Sequence, residues 1–535
     1  MKYDVLIAGG GIAGLTAAAY LSKAGYHLLL CEKEHQTGGL VNSFVHDGFV
    51  FDGGIRAIEN SGIVQPMLKQ LDINLDFLPN PVSIGIGDDI ITLASKESLT
   101  DYRELLIRQF PAEKEDILKI THDIARIMKY MDVLYGIDNP IFLDMQKDRA
   151  YLMKTILPWM FKYLATIGKI EKLTMPAEEY LLQFSDNPVL INLIAQHFFK
   201  QTPAFFAMSY FSLYLDYRYP KGGTGTLSKT LTEYIIHHGG EIKTDTEIVS
   251  IDPTAHSATD SAGKRIEYHQ LIWAADLKKM YAELTVSDHT PSAVKETIDT
   301  KREQLSNLRG GDSILTLYAK TDLAPAYFAE KASAHFFYTP YKKGLHDAAL
   351  TEIKLQTSSG SLTEDQLILK KWIQTYLKLT TYEISIPVLR DGSLAPKDKT
   401  GLIISTLFDY TLTNHIKQLG WYEEFKRFCE ETILDVLSDT IYPELKQKTF
   451  ATFSSTPITI EQVTGSSDGA ITGWAFTNSS IPVVHEMKKI AKSIETELPD
   501  IYQIGQWSYS PSGMPISILT GKLAADRVVK ALKKL

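Results

Sequence analysis

This chain has little cysteine, no long apolar run and no excess of positive charge. Its 535 residues include two cysteines, Cys31 and Cys429, which argues against a disulfide framework and fits a reducing compartment. No uncharged apolar run reaches about 18 residues, so no transmembrane helix is expected. The net charge of −9 argues against a nucleic-acid partner, because phosphate binding depends on clustered cations. We therefore expect a cytoplasmic protein.

Two kinds of catalytic centre also lack support. The 14 histidines include no H-x-x-x-H or H-E-x-x-H pair, so no metal site is predicted. G-x-S-x-G occurs once, as "GSSDG" at 465–469, but no strand is predicted directly before it, so it gives a serine hydrolase little support. At the N-terminus, Asp4 and the Gly9-Gly10-Gly11 break interrupt the apolar run, which argues against a cleaved signal peptide.

A nucleotide-binding pattern opens the chain. The stretch "YDVLIAGGGIAGLTAAAYLSKAG" predicts a buried strand, a tight turn and a helix, with Gly9, Gly11 and Gly14 forming G-x-G-x-x-G at the junction. The first glycine permits the turn, the second admits a pyrophosphate, and the third lets helix and strand pack closely. A second apolar strand ends at Glu32, at about the 20-residue spacing of a ribose-binding acid. This pattern is shared by FAD-binding and NAD-binding proteins.

The residues that follow favour FAD. Gly38-Gly39 and then "GFVFDGG", which contains Gly53-Gly54, resemble the flavoprotein superfamily of amine oxidases, phytoene desaturases, carotenoid isomerases and retinol saturases. The "YPKGGTGTLSKTLTEYIIHHGGEIKTDTEIVSID" stretch resembles the same superfamily, in which the residue matching Ile248 meets the adenine. No second G-x-G-x-x-G lies at a strand–helix junction, so no NAD(P)H domain is predicted and the electron partner stays open.

The end of the chain completes the resemblance. The family's last segment reads roughly G-x-x-x-x-P-G-G-G-x-P before a helix, and here Gly505 is followed by Pro511-Ser512-Gly513-Met514-Pro515. The helix N-terminus would point its amides at the pyrimidine edge of the flavin. The resemblance implies the following FAD-binding residues: Gly9, Gly11, Ile12, Ala13, Gly14, Glu32, Lys33, Gly38, Gly39, Leu40, Gly53, Gly54, Ile248, Ala275, Gly505, Gly513, Met514 and Pro515.

Two features indicate the branch of the superfamily. Many amine oxidases and phytoene desaturases carry Arg directly after the Gly-Gly pair, whereas this chain has Leu40. The stretch "STPITIEQVTGSSDGAITGWAF" is similar to a long motif of carotenoid isomerases and retinol saturases. In "FDGGIRAIEN", Arg56 stands where saturases usually have His. The substrate therefore cannot be carried over from the resemblance.

The predicted fold is α/β. We expect a discontinuous Rossmann-type FAD-binding domain over 1–80, 215–286 and 465–535. An α+β substrate domain with an antiparallel sheet is expected over 81–214 and 287–464. Within it, "SIGIGDDIITLAS" predicts a hairpin, and "SILTLYAK", "AHFFYT" and "GLIISTLF" predict strands of one sheet. "PAEKEDILKITHDIARIMKYMDVLY" and "WYEEFKRFCEETILDVLSDTI" predict amphipathic helices.

Two stretches of the middle region each allow two interpretations. The aromatic run "QHFFKQTPAFFAMSYFSLYLDYRYP" is either a helical core or the wall of an apolar tunnel. The stretch "YLMKTILPWMFKYLATIGKIEK" is either an ordinary packed helix or a peripheral contact with the inner face of a membrane. Its apolar residues at helical spacing are Trp159, Met160, Tyr163, Leu164, Ile167 and Ile170. Lysines lie among them at Lys154, Lys162, Lys169 and Lys172.

The resemblance implies an FAD-dependent oxidoreductase. It would act on a carbon–carbon bond of an apolar isoprenoid or polyene, by desaturation, saturation or isomerisation. Arg56 and Glu59 are the predicted polar groups facing the flavin cavity, with an internal ion pair as the alternative. Two other functions remain: an amine or porphyrinogen oxidase on the same fold, and a flavin-free binding protein like the Rab GDP-dissociation inhibitors. The intact Gly9, Gly11, Gly14 and Glu32 favour a flavin.

Overall fold

Two mixed sheets, each of seven strands, organise the chain in the computed structural model. The structure describes residues 2–144, 147–347 and 362–534. The strands are β1 Lys2–Ala8, β2 Leu28–Cys31, β3 Ser43–His46, β4 Phe49–Asp52, β5 Ile58–Glu59, β6 Phe77–Pro79, β7 Val82–Ile86, β8 Asp89–Leu93, β9 Tyr217–Pro220, β10 Glu241–Lys243, β11 Ile248–Asp252, β12 Ser257–Asp260, β13 Arg265–Trp273, β14 Ser313–Thr321, β15 His335–Thr339, β16 Tyr382–Ser385, β17 Thr400–Phe408, β18 Thr449–Ser455 and β19 Ile501–Gln503.

Helices cover these sheets and connect their strands. They are α1 Ile12–Lys23, α2 Val64–Gln70, α3 Ser98–Gln109, α4 Lys114–Tyr135, α5 Arg149–Tyr151, α6 Leu157–Ile170, α7 Ala177–Leu181, α8 Pro188–Ala195, α9 Ala204–Asp216, α10 Gly225–His237, α11 Leu277–Glu283, α12 Ser292–Ser306, α13 Pro325–Ala329, α14 Leu362–Leu379, α15 Tyr410–Gln418, α16 Tyr422–Thr440, α17 Leu445–Lys448, α18 Pro457–Thr464 and α19 Met514–Leu532. Of the helices described here, none has the length and apolar character to cross a membrane.

The first sheet is built from both ends of the chain. Strands β10, β2, β1 and β13 run parallel in that order, and β13 continues into the antiparallel β12 and β11. Two strands pair with the edge of β13 that faces away from β1. Strand β12 pairs with the first residues of β13, and β19 pairs with its last residues. Strand β1 is buried from Val5 to Ala8, as expected for a parallel strand covered on both faces. Helices α1, α10 and α19 share the core on one of those faces.

The second sheet has the order β18-β14-β17-β16-β15-β7-β8. The predicted hairpin is confirmed as β7 and β8, and the three predicted strands are confirmed as β14, β15 and β17 of one sheet. One pair departs from the expected antiparallel pattern, since β15 runs parallel to β7. The predicted amphipathic helices are confirmed as α4 and α16. The α/β fold class is therefore confirmed.

The aromatic stretch fits both of its interpretations. Helix α9 buries Phe211 and Tyr214 in a core that it shares with α3, α4, α7 and α8. Other aromatic rings of the same stretch line a cavity between the two sheets, and these are Phe199, Phe205, Phe206, Tyr210 and Tyr217. One face of the segment thus stabilises the fold, and the other lines the cavity.

Candidate functional site

A large cavity lies between the two sheets. It has a volume of about 1270 Å³, which exceeds the roughly 300–1,000 Å³ of a pocket for one small molecule. It begins at the carboxyl ends of β1, β2 and β13, marked by Ala8, Cys31 and Trp273, where parallel α/β sheets bind their ligands. The cavity then passes along residues of β14 and ends at the aromatic side chains of α9, which we call the aromatic wall. The space suits a long cofactor and a substrate together.

The three fingerprint glycines have three different surroundings. Gly9 has φ +106°, and a Cβ there would lie 2.8 Å from the Ala274 oxygen, so the turn requires glycine. A Cβ on Gly14 would lie 2.0 Å from the Gly9 oxygen, which forces close packing of helix and strand. A Cβ on Gly11 would meet nothing within 4 Å. Gly11 therefore borders open space at the N-terminus of α1, where the helix amides favour phosphate.

Glu32 closes the same end of the cavity. Its Oε2 accepts a hydrogen bond from the Gly10 amide at 2.7 Å, and its Oε1 accepts one from the Glu34 amide at 3.0 Å. Burial raises the pKa of the Glu32 carboxyl, while the two amide bonds oppose that rise. The side chain still lines the cavity, and each carboxylate oxygen keeps acceptor capacity for a ribose hydroxyl.

The last helix supplies the opposite end of the cofactor site. Helix α19 begins at Met514, with Pro515 in its first turn. A Cβ on Gly513 would have only the Pro515 ring at 4.0 Å as a neighbour. The buried Ser512 hydroxyl has no hydrogen-bond partner within the described residues. An open backbone, an unused hydroxyl and a helix N-terminus fit the polar edge of an isoalloxazine ring.

The other FAD-binding residues implied by the resemblance converge on this cavity. Gly14 does not line it but packs against Gly9 instead. The remaining predicted residues do line it: Gly9, Gly11, Ile12, Ala13, Glu32, Lys33, Gly38, Gly39, Leu40, Gly53, Gly54, Ile248, Ala275, Gly505, Gly513, Met514 and Pro515. Segments separated by hundreds of residues in sequence thus border one space.

Arg56 and Glu59 line the cavity as well, but they do not form the alternative ion pair. No ion pair among the described residues joins them. The Arg56 guanidinium donates instead to the backbone oxygens of Asp52 and Gly54 and, at 3.3 Å, to the Ser405 hydroxyl. Burial raises the pKa of Glu59 to about 7, and the nearby Asp216 carboxylate adds to the rise.

Three more side chains extend Arg56 and Glu59 into what we call the polar patch: Tyr217, His335 and Glu383. Glu59 lies opposite Tyr217 in the β5–β9 pair, and the Tyr217 ring stacks on His335 at 5.3 Å. His335 Nε2 is 2.8 Å from Glu383 Oε1. Tyr217 belongs to the aromatic stretch singled out from the sequence, whereas sequence reasoning missed His335 and Glu383, because each occupies a single position on a short strand and no spacing links them. The only signal was polar residues within "AHFFYT" and "YEIS".

Helix α6 lies at another border of the cavity. Its Ile167 and Ile170 are buried and line the cavity. Trp159 donates a hydrogen bond to the Val133 oxygen of α4 and packs on Tyr163. The outer face carries exposed apolar side chains on α6 and the turn before it: Met153, Leu157, Met160, Phe161 and Leu164. Four of the six residues predicted at helical spacing therefore pack inward, which agrees with the packed-helix interpretation, and Met160 and Leu164 lie on the exposed face.

Known proteins have sequences similar to this chain. A family model described as flavin containing amine oxidoreductase matches residues 12–322, more than half of the 535 residues. Prolycopene isomerase of Daucus carota is 22% identical over 551 residues, covering 99% of this chain and 80% of that protein. All-trans-retinol 13,14-reductase of Rattus norvegicus is 22% identical over 553 residues, covering 94% and 82%. The resemblance to carotenoid isomerases and retinol saturases is confirmed.

Solved structures agree with the fold. An oxidoreductase from Methanosarcina mazei superposes with a TM-score of 0.59 at 13% identity, covering 99% of this chain and 100% of that chain. Putrescine oxidase bound to putrescine gives a TM-score of 0.57 at 13% identity, covering 99% of each chain. Similarity at this identity supports the fold, and the family model supports the chemistry. The chain belongs to the flavin-containing amine oxidoreductase family, and its cofactor is FAD.

Proposed function

We propose that this protein is an FAD-dependent oxidoreductase that changes a carbon–carbon bond of an apolar isoprenoid or polyene. The observation that carries the proposal is the single cavity, in which an aromatic wall continues directly from the cofactor segments. Buried aromatic rings bind extended apolar chains through large contact areas. The names of two relatives, prolycopene isomerase and all-trans-retinol 13,14-reductase, agree with a polyene.

In this proposal the predicted cofactor residues contact successive parts of the FAD molecule. Gly9, Gly11 and the start of α1 would hold the pyrophosphate, and Glu32 would bind the adenosine ribose. The Ile248 backbone would contact the adenine. The loops containing Gly38-Gly39 and Gly53-Gly54 would border the middle of the cofactor, and 505–515 would hold the ring. We assign these roles to a cofactor domain of 1–80, 215–286 and 465–535 and the substrate to 81–214 and 287–464.

The chemistry requires little from the protein beyond positioning. When bound, the flavin accepts or donates the electron pair of the carbon–carbon reaction. The aromatic wall on α9 orients the substrate and keeps water out. Glu59 is placed to hold a proton in the cavity, because burial raises its pKa to about 7. Arg56 keeps a positive charge beside the reacting space while its own hydrogen bonds fix its position.

Anaerobic flavin spectroscopy tests this function. Oxidised and photoreduced enzyme would each be mixed with carotenoids, retinoids, quinones and amines, and flavin absorbance would be followed. We expect polyenes to change the flavin redox state or to be isomerised by the reduced enzyme, as product chromatography would show. The flavin-free variant Gly11→Val serves as the control for uncatalysed reaction. Rapid flavin reduction by amines with no response to any polyene would instead identify an amine oxidase.

We also propose that α6 docks the protein on an anionic membrane surface. Phe161 is 68% exposed and Leu164 is 62% exposed, which is unfavourable for a face left in water. The side chains of Lys154, Lys162 and Lys172 are exposed beside them, and lysines near apolar side chains attract anionic lipid headgroups. Because the inner face of α6 borders the cavity, an apolar substrate would enter from the lipid.

Flotation of vesicles tests the docking. Wild type is compared with Phe161→Ser/Leu164→Ser on vesicles of phosphatidylglycerol and phosphatidylcholine. The control is Leu367→Ser/Ile368→Ser, which removes equally exposed apolar groups from α14. We expect wild type and control to float and the α6 variant to stay at the bottom. Equal behaviour of all three proteins would remove the membrane proposal and leave the flavin assignment intact.

A further inference from the structure

The Ser512 hydroxyl is a buried hydrogen-bonding group that the rest of the described chain leaves unpaired. Ser512 is 3% exposed, and its Oγ has no hydrogen-bond partner within the described residues. Nearby in the same segment, the Ser508 hydroxyl donates to the Gly505 oxygen at 2.9 Å. Because buried polar groups in native proteins are nearly always paired, the unpaired Ser512 hydroxyl requires an explanation.

Ser512 differs from other buried serines without a partner in that it borders the cavity. The hydroxyls of Ser212, Ser313 and Ser493 also lack a partner within the described residues, but these side chains do not line the cavity. Ser512 does line it, next to Gly513, the residue before α19. A molecule bound in the cavity can therefore reach the Ser512 hydroxyl and supply the missing partner.

Ser512 does not cap the helix that follows it. The N-cap of α19 is Gly513, and within the described residues the Ser512 Oγ bonds to no amide of the first turn. Pro515, in that first turn, has no amide hydrogen, so the helix N-terminus offers one backbone donor fewer than usual. The Ser512 hydroxyl adds a donor at this end of the helix.

A donor at the pyrimidine edge of a flavin discriminates between the two redox states of the cofactor. Hydrogen bonds and charge at the flavin ring tune its electronics, because negative charge collects at this edge when the flavin is reduced. A hydrogen bond to a charged acceptor is roughly twice as strong as a bond to a neutral one. Such a donor therefore stabilises reduced flavin more than oxidised flavin, which raises the midpoint potential.

We propose that the Ser512 hydroxyl donates a hydrogen bond to the pyrimidine edge of the bound flavin and raises its midpoint potential. The inference rests on the placement of the ring at 505–515 in the proposed function, and it holds for any substrate. In the family's last segment glycine follows the proline, whereas Ser512 follows Pro511 here. The side-chain donor is thus a property of this chain, added to the backbone amides of α19.

Two measurements on the FAD-loaded protein test the proposal. Spectroelectrochemistry gives the midpoint potential, and ultrafiltration of diluted protein, under air and under anaerobic reduction, gives the dissociation constants of oxidised and reduced FAD. The variants are Ser512→Ala, which removes the hydroxyl, and Ser512→Thr, which keeps it. The control is Ser493→Ala, which removes a similarly buried and unpartnered hydroxyl that lies outside the cavity.

We expect Ser512→Ala to weaken the binding of reduced FAD about tenfold more than that of oxidised FAD, since the bond to the charged acceptor is the stronger one. A tenfold change lowers the midpoint potential of a two-electron couple by about 30 mV. Ser512→Thr should lie closer to wild type than Ser512→Ala, and Ser493→Ala should match wild type. A general structural defect would weaken both redox states equally and leave the potential unchanged.

Three results would overturn the inference alone. The first is a wild-type potential in Ser512→Ala while the bulky Gly513→Phe shifts it, and the second is an equal shift in Ser493→Ala. The third is a higher potential in Ser512→Ala, because the hydroxyl would then not favour the reduced flavin. If neither Ser512→Ala nor Gly513→Phe changes the potential, the proposed placement of the ring fails together with the inference, so the two failures are distinguishable.

Discussion

Replacing Gly11 with valine separates cofactor binding from folding. The backbone of Gly11 has φ −68° and ψ 175°, which valine adopts without strain. Its added Cβ meets no protein atom within 4 Å. The free energy of unfolding of the flavin-free protein should therefore change by no more than about 1 kcal/mol, the range of an N-cap or glycine replacement. The valine side chain instead occupies the space proposed for the pyrophosphate.

The effect on FAD should be large. Charge-assisted hydrogen bonds contribute about 1.5–3 kcal/mol each, so losing two phosphate contacts would weaken binding by about 10²- to 10⁴-fold. We expect Gly11→Val to purify colourless. The assay is the ratio of flavin to protein absorbance, followed by titration with added FAD and by urea unfolding of the flavin-free proteins.

Gly14→Ala is the matched control. Its Cβ would lie 2.0 Å from the Gly9 oxygen, so it should destabilise the fold by about 1–3 kcal/mol through overpacking. Gly11→Val should lose flavin while staying stable, and Gly14→Ala should lose stability. Normal flavin content in Gly11→Val would refute the phosphate assignment. Equal destabilisation of both variants would show that the flavin loss follows from a damaged fold.

Three further predictions concern other parts of the cavity. Glu32→Ala should raise the FAD dissociation constant about ten- to a hundredfold. An unchanged dissociation constant in fluorescence titration would show that Glu32 does not bind the ribose. Gly513→Phe has room to fold, so FAD should stay bound with a shifted midpoint potential in spectroelectrochemistry; a wild-type potential would make the segment purely structural. Burial raises the pKa of Glu59 from 4.5 to about 7. The contribution of the protonated Glu59 carboxyl to folding stability is therefore fully present below the pKa of the unfolded chain, and it is lost as the pH rises through the pKa of the folded protein. Between roughly pH 5 and 8, flavin-free wild type should lose about 2–3 kcal/mol relative to Glu59→Gln in urea unfolding, and parallel pH profiles would contradict this.

The cofactor end of the molecule could be predicted from the sequence because its constraints are local. A turn requires glycine at Gly9, and a close packing contact requires it at Gly14. Because the two positions are only a few residues apart, they produce a recognisable spacing in the sequence. The helix N-terminus at Met514 is likewise marked by Pro515 and the small residues before it. Backbone geometry of this kind requires particular residue types wherever it occurs.

The substrate end could not be predicted in the same way. His335 and Glu383 meet because β15 pairs with β16, and Arg56 lines the same cavity from the loop between β4 and β5. Any polar residue at those strand positions would look the same in sequence. The exposed face of α6 was predicted only in part for a related reason: helical spacing defines an apolar stripe, but contact with α4 decides which of its residues are covered.

The shared edge of β13 also affects how the protein is made. Leu271, Ile272 and Trp273 pair with β19, which is synthesised more than two hundred residues later, and all three are buried. Until 501–503 leave the ribosome, this apolar strand end remains an open edge, the kind of surface on which chains aggregate. Chains that stop before β19 should therefore depend on chaperones and accumulate as insoluble protein, and cofactor loading has to wait for the whole polypeptide.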